Sequence, residues 1–86
     1  MAGKQELAEG LRRLRMDCQV GQAELAREMK IGTNRLWYYE KGERRISPEM
    51  RERYIGALED IAIRRLESAR AALRKIALSA EQLRDP

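Results

Sequence analysis

The sequence predicts an all-α protein, a bundle of about four helices of which the last is long and amphipathic. Charged residues make up 37% and hydrophobic residues 43% of the 86 positions, a balance typical of soluble, helix-rich chains. Proline, which breaks helices, occurs only at Pro48 and Pro86. Apolar residues recur at intervals of three and four along most of the chain, which is the helical period.

The first two predicted helices are short. Leu7, Leu11 and Leu14 are spaced by four and three residues, which predicts a helix over residues 5–17. The next four residues interrupt this period, and a second helix is expected over residues 22–29. We expect the second helix to bury Leu25, Ala26 and Met29.

A three-residue turn at 30–32 precedes a third helix, expected over residues 33–41. Gly42 ends this helix, because glycine readily adopts the left-handed conformation found at helix C-termini. The charged loop over residues 43–46 follows, and its Ile46 is expected to anchor the loop to the core.

The last helix begins at Ser47 and Pro48, since serine is a good N-cap and proline fits the first helical position. A break near Glu59 and Asp60 would divide it into two helices. Its apolar seam has heptad spacing and consists of Leu66, Ala69, Leu73, Ile76, Ala80 and Leu83. The seam either pairs two subunits or folds back on its own domain. Dimerisation is favoured, because the short N-terminal core cannot easily cover so long a stripe.

Residues 22–42 have the arrangement of a helix-turn-helix motif. With Leu36, Tyr39 and Glu40 facing inward, the opposite face of the third helix holds Thr33, Asn34, Trp37, Tyr38 and Lys41. Polar hydrogen-bonding groups, two large aromatic rings and a lysine suit the major groove of DNA, which admits one α-helix. The formal net charge of +4 also suits an acidic partner such as double-stranded DNA.

At these residues the chain resembles the XRE family of lambda-repressor-like and Cro-like DNA-binding proteins, over about residues 7–58. The resemblance is closest to small phage and controller regulators. The matching features are Arg15, Gln22, Glu24-Leu25-Ala26, Glu40 with Gly42, and the run Gly-Glu-Arg-Arg-Ile-Ser over 42–47. Gly21 and Gly32 depart from the pattern, which has capping hydroxyl groups there, so both helix starts are expected to be looser.

The resemblance implies a role for each matching position. Arg15 and Glu40 match a salt bridge that fixes the angle of the third helix. The base-reading positions are Thr33, Asn34, Arg35, Trp37 and Tyr38. The phosphate-binding positions are Gln22, Lys41, Arg44 and Arg45.

Some of these side chains have alternative interpretations. Trp37 could face DNA or pack against Arg44 and its loop, and the arginine pair of that loop could simply be solvated. Arg15 could pack its aliphatic stem at the rim of the core. Further along, Arg51 and Arg53 are expected to be solvated surface residues of the last helix. The polar face beside the seam is expected to hold Arg64, Arg65, Arg70, Arg74 and Lys75.

We expect a helix-turn-helix DNA-binding domain over residues 1–58, which the resemblance implies, and a C-terminal dimerisation helix over residues 59–86, which the heptad seam indicates. The function implied is a sequence-specific transcription regulator, expected to be a repressor. It would bind an inverted-repeat operator as a homodimer, with helix 33–41 in the major groove.

Two alternatives remain open. The run Leu36-Trp-Tyr-Tyr-Glu40 also resembles the MerR family, although one residue instead of two separates Glu40 from Gly42 and the wing of that family is missing. The second alternative is an antitoxin-like protein-interaction module whose C-terminal helix binds a partner protein.

Other classes of function are disfavoured by composition. The chain has no histidine and one cysteine, Cys18. This excludes a histidine-based catalytic triad, a histidine-containing zinc site and a disulfide framework within the chain. We therefore expect no enzyme activity, metal, cofactor or small-molecule ligand. No apolar run is long enough to cross a membrane and no secretory signal is evident, so a cytoplasmic location is expected.

Overall fold

The computed structural model describes residues 3–84 and confirms the predicted fold class. These residues form four helices: α1 (Lys4–Asp17), α2 (Gln22–Met29), α3 (Thr33–Lys41) and α4 (Pro48–Arg84). The bounds of α2 and α3 agree with the sequence prediction, and α1 begins one residue earlier than predicted. Residues 1–2 and 85–86, the outer ends of the two predicted domains, lie outside the described residues.

The core lies where α1, α2 and α3 pack on the first half of α4. Its largest fully buried side chains are Leu25, Leu36, Tyr54 and Ile61. Ile46 is buried as predicted and joins this cluster. Leu14 is 41% exposed, although the sequence placed it on the apolar face of the first helix. The residues that α1 buries are instead Ala8, Leu11 and Arg15.

Two helix ends have the predicted capping. Gly42 has φ 74°, a left-handed conformation, and a Cβ at this position would come within 2.8 Å of the Gln5 side chain. Glycine is therefore favoured there by the backbone conformation, and a side chain would also have to displace the end of the exposed Gln5 side chain. At the start of α4, the backbone N–H of Met50 donates to Ser47 Oγ at 3.0 Å. Neither Gly21 nor Gly32 provides a side-chain cap.

Helix α4 is continuous, so the break considered near Glu59 and Asp60 does not occur. Its first half buries Met50, Tyr54, Ala57, Leu58 and Ile61. Beyond Ile61, every described residue except Ala80 is exposed. We call residues 62–84 the arm, which is about 34 Å long at the α-helical rise and gives the molecule its extents of 63 × 24 × 17 Å.

Three arginines of α4 are exposed at the surface as predicted, but they also make contacts with α2 and the turn before it that the sequence did not predict. Arg53 donates to the backbone carbonyl of Met29 at the end of α2. Arg64 forms two hydrogen bonds, of 2.8 and 2.7 Å, with the carboxylate of Glu28. Arg65 donates to two backbone carbonyls of the α1–α2 turn and to Glu24 at 3.0 Å. These contacts fix the direction in which the arm leaves the domain.

Candidate nucleic-acid interface

The third helix presents one face to the core and the opposite face to solvent. Leu36, Tyr39 and Glu40 are buried. The side chains predicted to read bases are all exposed, namely Thr33, Asn34, Arg35, Trp37 and Tyr38. This division follows from the helical period, and it places Lys41 at the C-terminal end of the same outward surface.

An aromatic pair forms the centre of the outward surface. The rings of Trp37 and Tyr38 meet edge to face, with centroids 5.0 Å apart and planes at 77°. Lys41 Nζ lies 5.0 Å from the Trp37 centroid, a cation–π distance. Trp37 also borders an open groove with Gln5, Arg12 and Met16 of α1. The lysine charge is thus held beside a large aromatic surface that solvent reaches.

Arg35 is folded along its own helix. Its Nε donates to the hydroxyl of Tyr39 at 2.9 Å, and its guanidinium carbon lies 5.6 Å from the centroid of that ring. A base contact by Arg35 therefore requires one of two things. Either the hydrogen bond to Tyr39 breaks, or a different N–H of the guanidinium group, which carries five such donors, contacts the base.

A buried network around Glu40 fixes the orientation of α3. Arg15 Nε lies 2.7 Å from Glu40 Oε2, and Arg15 Nη2 lies 2.9 Å from Glu40 Oε1. Gln22 Nε2 donates to Oε1 at 3.0 Å. The Tyr54 hydroxyl lies 2.7 Å from Oε2 and 2.9 Å from the carbonyl oxygen of Leu11, so two acceptors compete for its proton. One carboxylate thereby joins all four helices.

The network also changes the proton affinities of its members. Burial alone would raise the pKa of Glu40, but the hydrogen bonds from Arg15, Gln22 and Tyr54 outweigh it and lower this pKa below its usual value. The Glu40 hydrogen bond raises the pKa of Arg15. Burial, followed by the adjacent Glu40 carboxylate, raises the pKa of Tyr54. The charged Arg15–Glu40 pair is therefore the stable form of this site near neutral pH.

The predicted phosphate-binding residues do not all lie together. Gln22 is the first residue of α2 and borders the same groove as Trp37 and Lys41. One hydrogen of its amide is donated to Glu40, and the second remains for another acceptor. Arg44 and Arg45 lie in the loop after α3 and border a separate cleft lined also by Lys4 and Arg51.

The predicted dimer seam is exposed along the arm. Of its large residues, Leu66 is 53%, Leu73 66%, Ile76 62% and Leu83 84% exposed. Ala69 is exposed and Ala80 is partly buried. Nothing in the described part of the chain folds over this stripe, and exposed apolar side chains in a row mark an interaction surface.

The sequence analysis missed Tyr54 as a member of the site. Its spacing from Met50, Leu58 and Ile61 indicates a core position on α4, but nothing in that spacing shows that its hydroxyl meets Glu40. Within residues 3–84, acidic and cysteine side chains form no group of three or more that could hold a metal ion. No helix in this range has the length and hydropathy needed to cross a membrane.

Comparison with known families gives one match. The family model described as a helix-turn-helix domain matches residues 6–59, which span α1 to α3 and the buried half of α4. No significant match was found among curated proteins, and none among solved structures. A helix-turn-helix domain indicates DNA binding.

Proposed function

The chain belongs to the helix-turn-helix domain family, and from this premise we propose that it is a sequence-specific DNA-binding regulator of transcription. In this proposal α3 enters the major groove and reads base edges. Of the helix-turn-helix regulators we favour the XRE type, because Glu40 and Gly42 close the third helix at that family's spacing. We further propose repression by occupying a promoter, which needs only DNA binding by this chain.

The observation that carries the proposal is that the buried Glu40 network holds the exposed face of α3 in place. The network is made by side chains of all four helices, through Arg15, Gln22 and Tyr54. A rigidly positioned recognition helix suits base readout, because hydrogen bonds to base edges depend on accurate placement.

The exposed residues divide into two proposed roles. Asn34 suits adenine, since an amide can make two hydrogen bonds to its major-groove edge, and Arg35 suits guanine. Thr33, Trp37 and Tyr38 would add contacts beside them. Phosphate contacts are proposed for Gln22, Lys41, Arg44 and Arg45. Such contacts set the position of the protein on DNA without reading sequence.

We also propose that the protein binds as a homodimer. The helix-turn-helix domain would comprise residues 1–58, and residues 59–86 would join two copies. The exposed seam of the arm supports this division, because its apolar side chains have the heptad spacing used by paired helices. Two copies related by a twofold axis would bind an inverted repeat with half-sites about 34 Å, one helical turn, or a multiple of it apart.

Selection from a random-sequence duplex library tests the proposal. We expect enrichment of an inverted repeat bound at least about 10³ times more tightly than random duplex. Asn34→Ala should cost about 1–3 kcal/mol and relax the preference at one base position. Lys41→Ala should weaken binding to specific and random DNA alike and reduce the salt slope by about one unit.

Glu43→Ala is the control for both substitutions. Glu43 is exposed just beyond the end of α3, and removal of its negative charge near DNA should not weaken binding to any duplex. Failure to enrich any sequence, together with weak, salt-dependent binding to all duplexes, would contradict sequence-specific recognition. An equal loss of affinity for every duplex in Asn34→Ala would contradict base reading by that residue.

A second candidate function follows from the arm. Its exposed leucine and isoleucine side chains hint at a protein partner, which an antitoxin-like interaction module would use. This function predicts a purified protein that stays monomeric at tens of micromolar and forms a complex of fixed stoichiometry with a different chain. A concentration-dependent homodimer would favour the first candidate.

A further inference from the structure

We propose that the arm pairs with the arm of a second copy of this chain in antiparallel orientation, with the twofold axis passing between Arg74 and Lys75. This rests on the homodimer of the proposed function and adds the orientation, the register and the charged residues that select it.

The first step is that the arm needs a cover that its own domain does not provide. Ile61 is the last deeply buried residue of α4. Among the described residues, Arg65 is the last residue of α4 to form a hydrogen bond with the rest of the domain. From Leu66 to Leu83 the large seam residues are at least 53% exposed. A second helix laid along this seam would cover all of them, as in two-stranded coiled coils.

The second step concerns register. The seam reads large, small, large, large, small, large in both directions along the chain. An antiparallel pair centred between residues 74 and 75 therefore sets side chains of similar size opposite each other. The facing pairs are Leu66 with Leu83 of the second copy, Ala69 with Ala80, and Leu73 with Ile76. The alanine layers let the helices approach closely. A parallel pair would also match sizes, so charge must decide between the two.

Charge favours the antiparallel pair. In that register Arg70 flanks the seam, and Glu81 of the second copy lies on the same side of the pair, one position further from the seam. Arg84 and Glu67 of that copy are related in the same way. Each pair is offset by about 3 Å along the axis at the helical rise, within reach of an arginine side chain. The twofold axis repeats both contacts, which gives four attractive pairs.

A parallel pair would instead bring like charges together. Flanking positions five residues apart then face each other across the seam, which sets Arg65 against Arg70 of the second copy, twice per dimer. Arg65 is already held by Glu24 and two backbone carbonyls, so it cannot readily turn away from this repulsion. The orientation is therefore selected by residues that flank the seam.

The antiparallel pair has a consequence for DNA binding. The two helix-turn-helix domains would lie at opposite ends of the paired arms, separated by a seam of about 26 Å from Leu66 to Leu83 at the helical rise. A twofold axis perpendicular to the arms relates them, which is the symmetry of an inverted repeat.

Charge reversal gives effects of opposite sign for the two orientations. In an antiparallel dimer, Arg70→Glu turns attraction to Glu81 into repulsion and should raise the dimer dissociation constant about tenfold at low salt. The double variant Arg70→Glu with Glu81→Arg should restore it. In a parallel dimer, Arg70→Glu would relieve the repulsion by Arg65 and tighten the dimer. Sedimentation equilibrium measures these constants, and an unchanged or tighter Arg70→Glu dimer overturns the proposal.

Disulfide trapping tests the register in a Cys18→Ser background. A mixture of Leu66→Cys and Leu83→Cys chains, one of them isotope-labelled, should form mixed disulfide dimers that mass spectrometry identifies. Neither variant should cross-link efficiently to itself. Efficient self-linking of Leu83→Cys would show a parallel dimer and overturn the orientation alone. A protein that sediments as a monomer at all concentrations would overturn the homodimer as well, while the DNA selection tests recognition by α3 separately.

Discussion

The helix-turn-helix domain and the arm contain the same kinds of residue in the same helical period, yet their side chains have different surroundings. Leu36 of α3 is fully buried, whereas Leu73 of the arm is 66% exposed. Both lie in apolar stripes with intervals of three and four. The comparison teaches that periodicity predicts a helix and its apolar face, but not what covers that face.

Charged residues show the same contrast. Glu40 is 6% exposed and its carboxylate is hydrogen-bonded by three side chains. Glu81 of the arm is exposed. In the domain a carboxylate holds helices together, whereas within residues 3–84 Glu81 forms no ion pair with another helix. Substitutions in the two regions should therefore differ in size and in how they depend on concentration.

The largest effect is expected from Glu40→Ala. The substitution leaves the Arg15 guanidinium buried without its counter-charge, and it removes the acceptor of Gln22 and one of the two acceptors of Tyr54. Breaking a buried ion pair by removing one partner costs about 3–5 kcal/mol, which is a large part of the stability of a small domain. Urea denaturation followed by circular dichroism measures the loss.

Glu43→Ala is the control for this prediction, since Glu43 is an exposed carboxylate three residues further along the chain. Its substitution should change stability by less than about 0.5 kcal/mol. Similar stabilities for the two variants would show that the network around Glu40 contributes little to the fold.

A matched pair of leucine substitutions tests the comparison directly. Leu36→Ala should cost about 2–5 kcal/mol at any protein concentration, because it leaves a cavity in the core. Leu73→Ala should cost less than about 0.5 kcal/mol when the protein is dilute and monomeric. At higher concentration Leu73→Ala should lower the midpoint of unfolding, because dimerisation stabilises the folded chain by mass action.

The contrary result would be a concentration-independent loss in Leu73→Ala. That outcome would mean that the arm folds back on its own domain, which is the alternative that the sequence left open for this seam.

Much of the fold was readable from the sequence, because it depends on local signals. The turn at 30–32, the glycine at 42 and the serine cap at 47 each act within a few residues, and α2 and α3 begin and end where they were predicted. The contacts that hold the site together were less readable. Tyr54 reaches Glu40 from another helix, and Arg65 reaches carbonyls 46 and 47 positions away. Periodicity carries no information on such distant partners.

The stability of the domain should fall at low pH as Glu40 becomes protonated. Its pKa in the folded protein lies below the usual value because hydrogen bonds from Arg15, Gln22 and Tyr54 outweigh the effect of burial. Its contribution to stability is therefore complete above the unfolded-state pKa of about 4.3 and is lost as the pH falls through the lower folded-state value. Carboxyl chemical shifts in NMR should show Glu40 titrating below the ordinary glutamate range. Titration of Glu40 at or above the ordinary glutamate range would contradict this.

The smallest effect is expected at the junction of the two regions. Arg65 joins the arm to α2 through Glu24, at 3.0 Å, and to two backbone carbonyls. The side chains of Arg65 and Glu24 are 46% and 43% exposed, so solvent and salt weaken this ion pair. Arg65→Ala should cost about 0.2–1 kcal/mol in the monomer, and less at high salt.

Arg70→Ala is the control, because Arg70 is an exposed arginine further along the arm and its loss should leave the stability of the monomer unchanged. If Arg65→Ala also speeds hydrogen exchange over residues 62–66 while Arg70→Ala does not, the domain ends at this arginine and not at the last buried side chain, Ile61.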